Sequence, residues 1–170
     1  MFSRFETFMT RFDKSEDFKF NKSPNEAITA LGCMSGTSLD GLDLALVTFT
    51  PPSIENSFWK FHVQSTEFIS YSKTGWEEKL LTAYTLSNKN KVEEISKNYA
   101  RWISLKAKNF LDRLPKNIPQ AEIFCCHGHT VRHNPKMRIT KQIGNTYELT
   151  THLDIPVVCD FRSADVKRGG

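Results

Sequence analysis

The 170-residue sequence contains no uninterrupted apolar run longer than four residues, Leu44–Val47 and Ile123–Cys126 being typical. A membrane-crossing helix needs roughly 18, so such a span is excluded. The opening Met1-Phe2-Ser3-Arg4-Phe5-Glu6 lacks the roughly 7–15-residue apolar stretch of a secretory leader, and a cytoplasmic location is the expectation. Cysteine is sparse: Cys33, Cys125, Cys126 and Cys159 each lie in an apolar, β-rich run. That pattern argues against a disulfide framework and for reduced core thiols. His127, His129 and His133 beside Cys125 and Cys126 fit no zinc-finger spacing, and a second cysteine pair at ligand distance is missing. Charge of one sign is also modest, 23 basic against 19 acidic residues for a net +4. This suits an anionic ligand such as a nucleotide without requiring nucleic acid. Internal repeats and low-complexity tracts are missing. With 39% hydrophobic and 25% charged residues, the chain reads as one globular domain.

Residues 1–26 are polar with scattered phenylalanines, of which Phe2, Phe5, Phe8 and Phe12 have a spacing that suits one face of a short helix. From Ile28 the periodicity becomes that of strands: Ile28–Met34, Leu42–Phe49 and Phe58–Tyr71, read as a three-stranded antiparallel meander. A short helix is expected over Trp76–Tyr84 and a long one over Val92–Leu114, stopped by Pro115. Short buried strands are expected at Glu122–Cys126 and Ile155–Cys159, with a helix at Glu148–Leu153 between them. The order β-β-β-α-α-β-α-β predicts a mixed α/β sheet, a meander extended through crossover helices.

Chemistry concentrates in Met34-Ser35-Gly36-Thr37-Ser38-Leu39-Asp40-Gly41-Leu42-Asp43, between the first two of these strands. Gly36 and Gly41 permit positive φ and close backbone approach, and Ser35, Thr37 and Ser38 add donors, as a nest for phosphate oxygens requires. Asp40 and Asp43 would repel a phosphate unless a divalent cation lay between them. The combination suggests a Mg²⁺-nucleotide, with Mg²⁺ held largely through waters. The plainer alternative is a hairpin in which Asp40-Gly41 bends tightly and the hydroxyls cap backbone groups.

The wording Met-Ser-Gly-Thr-Ser-x-Asp-Gly-x-Asp resembles the N-terminal signature of the anhydro-N-acetylmuramic acid kinase family, within the sugar kinase, Hsp70 and actin superfamily. Cys126-His127-Gly128-His129-Thr130-Val131-Arg132-His133 is similar to the family's His-Gly-Gln-Thr-x-x-His segment, and Gln142-Ile143-Gly144-Asn145 to its Gln-Ile-Gly-Asp/Asn turn. Val157-Val158-Cys159-Asp160-Phe161-Arg162-Ser163-Ala164-Asp165-Val166, before Gly169-Gly170, is similar to its Val-Val-x-Asp-Phe-Arg-x-x-Asp segment. Two departures stand out. Met34 occupies a position that is acidic in many superfamily sugar kinases, and His129 stands where this family more often has Gln.

The resemblance implies a ribonuclease-H-like sheet forming the first lobe of a two-lobed kinase, with residues 1–26 as an N-terminal extension, residues 27–170 as the ATPase-type lobe, and the second lobe absent. It implies an ATP- and Mg²⁺-dependent reaction in which water opens the 1,6-anhydro ring and the sugar is phosphorylated on O6. Gly36, Thr37, Ser38, Leu39, Asp40, Gly41, Leu42 and Asp43 are then the loop around the ATP phosphates, with Asp40 as a metal contact. Asp165 carries over as the base that activates water, with Asp160 in reserve. His127, His129, Asp160 and Arg162 are the substrate-side candidates. Arg162 suits either the sugar's lactyl carboxylate or a neighbouring aspartate. The implied partner is a small sugar, with no nucleic acid or membrane and with a homodimer left open. Such a chain alone is expected to bind ATP weakly and to turn over no sugar. A non-catalytic binding module or degenerate half-kinase is the alternative, and a two-metal nuclease of related fold is disfavoured.

Overall fold

The computed structural model describes residues 10–12, 22–137 and 139–169. Strands β1 (Thr10–Phe12), β2 (Ile28–Ser35), β3 (Gly41–Thr50) and β4 (Lys60–Ser70) are followed by helices α1 (Trp76–Thr85) and α2 (Lys89–Asp112). Then come β5 (Ile123–Asn134), β6 (Ile139–Ile143), a 3-10 turn at Tyr147–Thr150, β7 (Val157–Cys159) and α3 (Phe161–Lys167). The seven strands form one mixed sheet in the order β1-β7-β5-β2-β3-β4, with β6 added to β5. The antiparallel meander β2–β3–β4 is as the three strand runs predicted. Strand β5 lies parallel to both β2 and β7.

Local chemistry explains the helices. Asn88 caps α2, its side chain accepting from the amides of Asn90 and Lys91 at 3.0 and 3.2 Å, which satisfies two of the donors that a helix start leaves open. The helix then buries Val92, Ser96, Tyr99, Ala100, Ile103, Ser104, Ala107 and Phe110 at helical spacing and ends three residues before Pro115. Its buried serines are satisfied across the fold: Ser96 Oγ accepts from the Gly144 amide at 2.8 Å and Ser104 Oγ from the His152 amide at 3.0 Å. Tyr71, Trp76, Tyr99 and Trp102 form an aromatic cluster where α1 and α2 meet the end of β4. Leu31 and Cys33 of β2, Leu42, Leu44 and Leu46 of β3, and Phe124 and Cys126 of β5 line the sheet face beneath these helices. All four cysteines are free thiols. On the other face of the meander, Met34, Phe61, Val63 and Phe68 are about half exposed or more.

Four expectations need correction. Glu148–Leu153 is not an α-helix: a 3-10 turn spans Tyr147–Thr150, because the run is too short to complete helical hydrogen bonding. Phe12 lies in a strand, β1, antiparallel to β7, whereas Phe2, Phe5 and Phe8 lie outside the described residues. Strand β5 runs well past Cys126, and β6 pairs with its second half. Residues 161–167, given no element on periodicity, form α3. Among the described residues, no helix is long and apolar enough to cross a membrane.

Candidate active site at the carboxyl ends of the parallel strands

The parallel strands β2, β5 and β7 point their carboxyl ends the same way, and three motif segments meet there. The chain leaves β2 at Ser35 into the Gly36–Asp40 loop, β5 carries His127-Gly128-His129 beside it, and β7 delivers Asp160 and α3. Crevices at such strand ends are the usual ligand positions of open α/β sheets.

The loop is a tight turn, with the Leu39 amide donating to Gly36 O at 3.2 Å. Positive φ is found at Leu39 (58°) rather than at Gly36 or Gly41, which corrects the expected conformation of those glycines. Gly41 is required for close approach instead: a Cβ there would lie 2.5 Å from the Phe68 ring and 2.6 Å from Ile69 O. Gly36 leaves more room, a Cβ meeting Ser38 Oγ at 3.1 Å. Asp40 Oδ1 accepts from Ser38 Oγ at 2.5 Å and from the Gly41 amide at 3.1 Å. These bonds hold its exposed carboxyl below the ordinary value, with Ser38 the larger cause. Thr37, Ser38 and Asp43 are exposed as well, while Leu42 is core. Among the described residues, no three His, Cys, Asp or Glu side chains form a cation cage. An ionised carboxylate with one oxygen uncommitted fits Mg²⁺, which keeps most of its waters and takes one or two protein oxygens.

Gly128 is the pivot of β5. Opposite β2, Cys126 pairs with Cys33 but His129 pairs with Ser35, so β5 carries one extra residue there. Gly128 has φ 71°, the left-handed conformation of a glycine bulge. The bulge reverses the alternation, so the two histidines part company. His127, half-buried, packs edge-on against Phe161 of α3 at 6.1 Å between ring centres. Its Nδ1 and the Nε of Arg162 are buried without hydrogen-bond partners. Burial, then the nearby Arg162 charge, lowers the His127 pKa. His129 is fully buried on the α1–α2 side, with Nδ1 2.9 Å from Ser35 Oγ and Nε2 3.4 Å from the Tyr84 hydroxyl.

Burial pushes the His129 pKa down to about 4 from the ordinary 6.5, so the folded protein holds it neutral where the unfolded chain would protonate it. The unfolded state therefore binds more protons between these values, and stability is lost as pH falls through that window. The gap between 6.5 and about 4 is worth about 3 kcal/mol at full extent. The denaturant midpoint is expected to fall further between pH 7 and pH 4.5 in wild type than in His129→Gln, which lacks the titrating imidazole. Equal losses in the two proteins would remove His129 as the cause.

At the start of α3, Asp160 takes a left-handed φ of 58° and its Oδ1 accepts from Ser163 Oγ at 2.6 Å. Arg162 is half-buried beside it, and Asp165 is exposed farther along the helix. The structure thus brings the Gly36–Asp40 loop, His127, Asp160 and Arg162 to one end of the sheet. Asn145, which follows β6, was not among the expected site residues. Its Oδ1 would lie 2.8 Å from a Cβ at position 128 and is buried without a partner. The Gln142-Ile143-Gly144-Asn145 wording was the available signal for it.

The sequence model of anhydro-N-acetylmuramic acid kinase matches residues 28–170. A protein of that name from Paramagnetospirillum magneticum is 36% identical over 141 residues, covering 83% of this chain and 37% of the relative. One from Chromobacterium violaceum is 34% identical over 145 residues, covering 82% and 37%, and one from Acinetobacter baylyi is 32% identical over 148 residues, covering 82% and 35%. The chain therefore spans little more than a third of the length of these curated relatives. With its loop, bulge and strand-end aspartate all falling within the matched residues, the chain belongs to the anhydro-N-acetylmuramic acid kinase family.

Proposed function

We propose that the chain is the first lobe of a cytoplasmic, ATP-dependent kinase that converts 1,6-anhydro-N-acetylmuramic acid to N-acetylmuramic acid 6-phosphate in cell-wall recycling. The observation that carries this reading is the meeting of the Gly36–Asp40 loop, His127 and the Asp160–α3 turn at the carboxyl ends of β2, β5 and β7. A meander, two crossover helices and a return to parallel β5 and β7 support a ribonuclease-H-like lobe, with residues 1–26 as its extension. Its partner is a small sugar rather than nucleic acid or membrane, and a homodimer is compatible with the family.

Water adds its oxygen to C1 while the C1–O6 bond breaks, the freed O6 bonds to the γ-phosphorus, and ADP leaves. Asp165 takes the proton from water; its exposure on α3 keeps it open to solvent and sugar. Asp160, already accepting from Ser163, is the reserve. Arg162 and His127, each with a buried nitrogen lacking a partner, are suited to the lactyl carboxylate and a sugar hydroxyl, because a ligand would relieve groups that cost about 1–3 kcal/mol unpaired. The backbone from Gly36 to Asp43 lies along the ATP phosphates, and Asp40, with Asp43 near, holds Mg²⁺, which neutralises phosphate charge when bound.

The test is ATP-dependent phosphorylation of the anhydro sugar, alongside the intact mass of the native polypeptide. The isolated 170 residues are expected to bind Mg-ATP weakly and to turn over no sugar, whereas a native polypeptide near twice 19.5 kDa turns it over. A native mass of 19.5 kDa without activity would favour a degenerate or purely binding role. Gly36→Val is expected to leave the fold intact, since its Cβ meets nothing closer than Ser38 Oγ at 3.1 Å, yet to weaken Mg-ATP binding about 10- to 100-fold by blocking backbone approach. Unchanged affinity by calorimetry would take the phosphates away from this loop.

A further inference from the structure

A single line of hydrogen bonds runs beneath the Gly36–Asp40 loop, and its proton order is determined from one end. Thr130 O can only accept, so the Tyr84 hydroxyl, 2.6 Å away, donates to it. The oxygen of Tyr84 is then left to accept, and the group facing it is His129 Nε2 at 3.4 Å. The imidazole proton therefore sits on Nε2, and the bare Nδ1 accepts from Ser35 Oγ at 2.9 Å. Ser35 in turn accepts from the Tyr71 hydroxyl at 2.8 Å, which accepts from the Tyr99 hydroxyl. The opposite order would turn the Tyr84 hydroxyl proton away from the Thr130 carbonyl, 2.6 Å away.

Tyr71 also holds the far end of the same loop, its backbone amide donating to Asp40 O at 3.0 Å. One fully buried tyrosine thus grips the residue before the loop through its hydroxyl and the last residue of the loop through its amide. His129 fastens that assembly to β5. We propose that His129 is a positioning residue that acts in its Nε2–H form, locking Ser35 and Tyr71 so that the Gly36–Asp40 loop keeps a defined distance from β5, without touching substrate. The link to catalysis rests on reading that loop as the ATP-phosphate loop.

This role sets a requirement at position 129: one acceptor toward Ser35 and one donor toward Tyr84 from a single side chain. Glutamine meets it, with its carbonyl oxygen and amide nitrogen. Asparagine has the same groups on a stem one methylene shorter, and leucine fills the space with neither.

The experiment uses the 170-residue chain labelled with ¹⁵N. Long-range imidazole spectra at pH 7 are expected to show the His129 ring, identified by its loss in His129→Gln, with Nε2 protonated and Nδ1 bare. Amide exchange at Leu39, Gly41 and Tyr71 is expected to rise about tenfold or more in His129→Leu and His129→Asn, to stay near wild type in His129→Gln, and to be unchanged along α2 in all three. An Nδ1–H tautomer overturns the proposal, as does a Gln variant that loosens the loop as much as Leu while α2 stays protected. Should the Leu and Asn variants fail to fold, the wild-type tautomer and the Gln variant decide it alone. Mg-ATP affinity is read separately: a loosened loop with unchanged affinity upholds the clamp and overturns the phosphate-loop reading.

Discussion

Asp165→Asn is expected to lower turnover of the kinase-active polypeptide by about 10²- to 10⁴-fold, the usual contribution of a positioned general base, while leaving Mg-ATP affinity within about twofold. Asparagine keeps the shape of the side chain but cannot take a proton from water. The residue is exposed on α3, where a near-isosteric change costs the fold within about 0.5 kcal/mol, so lost activity cannot be laid to unfolding. On the proposed reading of the Gly36–Asp40 loop as the phosphate loop, Asp165 stands apart from the nucleotide: the loop leaves β2, whereas Asp165 is carried by the helix after β7, with β5 between the two strands. Steady-state kinetics with anhydro sugar and ATP, together with calorimetry for Mg-ATP, make the measurement. Normal turnover would transfer the base to Asp160 or to residues outside this chain. A parallel loss of ATP affinity would mean that α3 shapes the nucleotide site as well.

The second large effect is structural. Gly128→Ala is expected to destabilise the chain by about 3–5 kcal/mol, through two costs that add. A left-handed conformation at a non-glycine residue costs about 1–3 kcal/mol, and a Cβ at position 128 would stand 2.3 Å from Ile143 O and 2.8 Å from Asn145 Oδ1. Neither neighbour can retreat cheaply: Ile143 is paired to His129 in the β5–β6 ladder, and the obstructing atom is its backbone carbonyl. Relief requires β6 to separate from β5, exposing buried Ile143. Chemical denaturation at pH 7 measures this directly, and a midpoint equal to wild type would mean that the bulge is absent in solution. Gly36→Ala serves as the internal comparison, because its added Cβ approaches nothing closer than Ser38 Oγ at 3.1 Å.

The apolar strand run Ile28–Met34 and the helical repeat of Val92, Tyr99, Ile103 and Phe110 were legible because burial against a partner layer imposes such patterns. The same logic fails where an element has no such period to show. Residues 161–167 form only two turns of helix, with Ala164 and Val166 as their buried residues, too few positions for a helical pattern to emerge. The second half of β5 and all of β6 are largely half-exposed, so polar residues such as Thr130, Arg132 and Gln142 hide a ladder that only pairing reveals. Asn145 was visible as part of a motif. Its place beside Gly128 depends on β6 folding back along β5, a contact between segments that sequence order does not disclose.

The meander, the short and the long helix after it and the family wording could be read in advance, since each follows from local periodicity or from side-chain identity at fixed spacing. Which way the two motif histidines face was set only by strand pairing. Spaced two apart, His127 and His129 would share a face of any regular strand. The extra residue at Gly128 reverses that phase, sending His127 toward α3 and Arg162 and His129 beneath the loop to Ser35 and Tyr84. A bulge is a difference in register between two strands, and register exists only once β2 and β5, more than 80 residues apart in the chain, have paired.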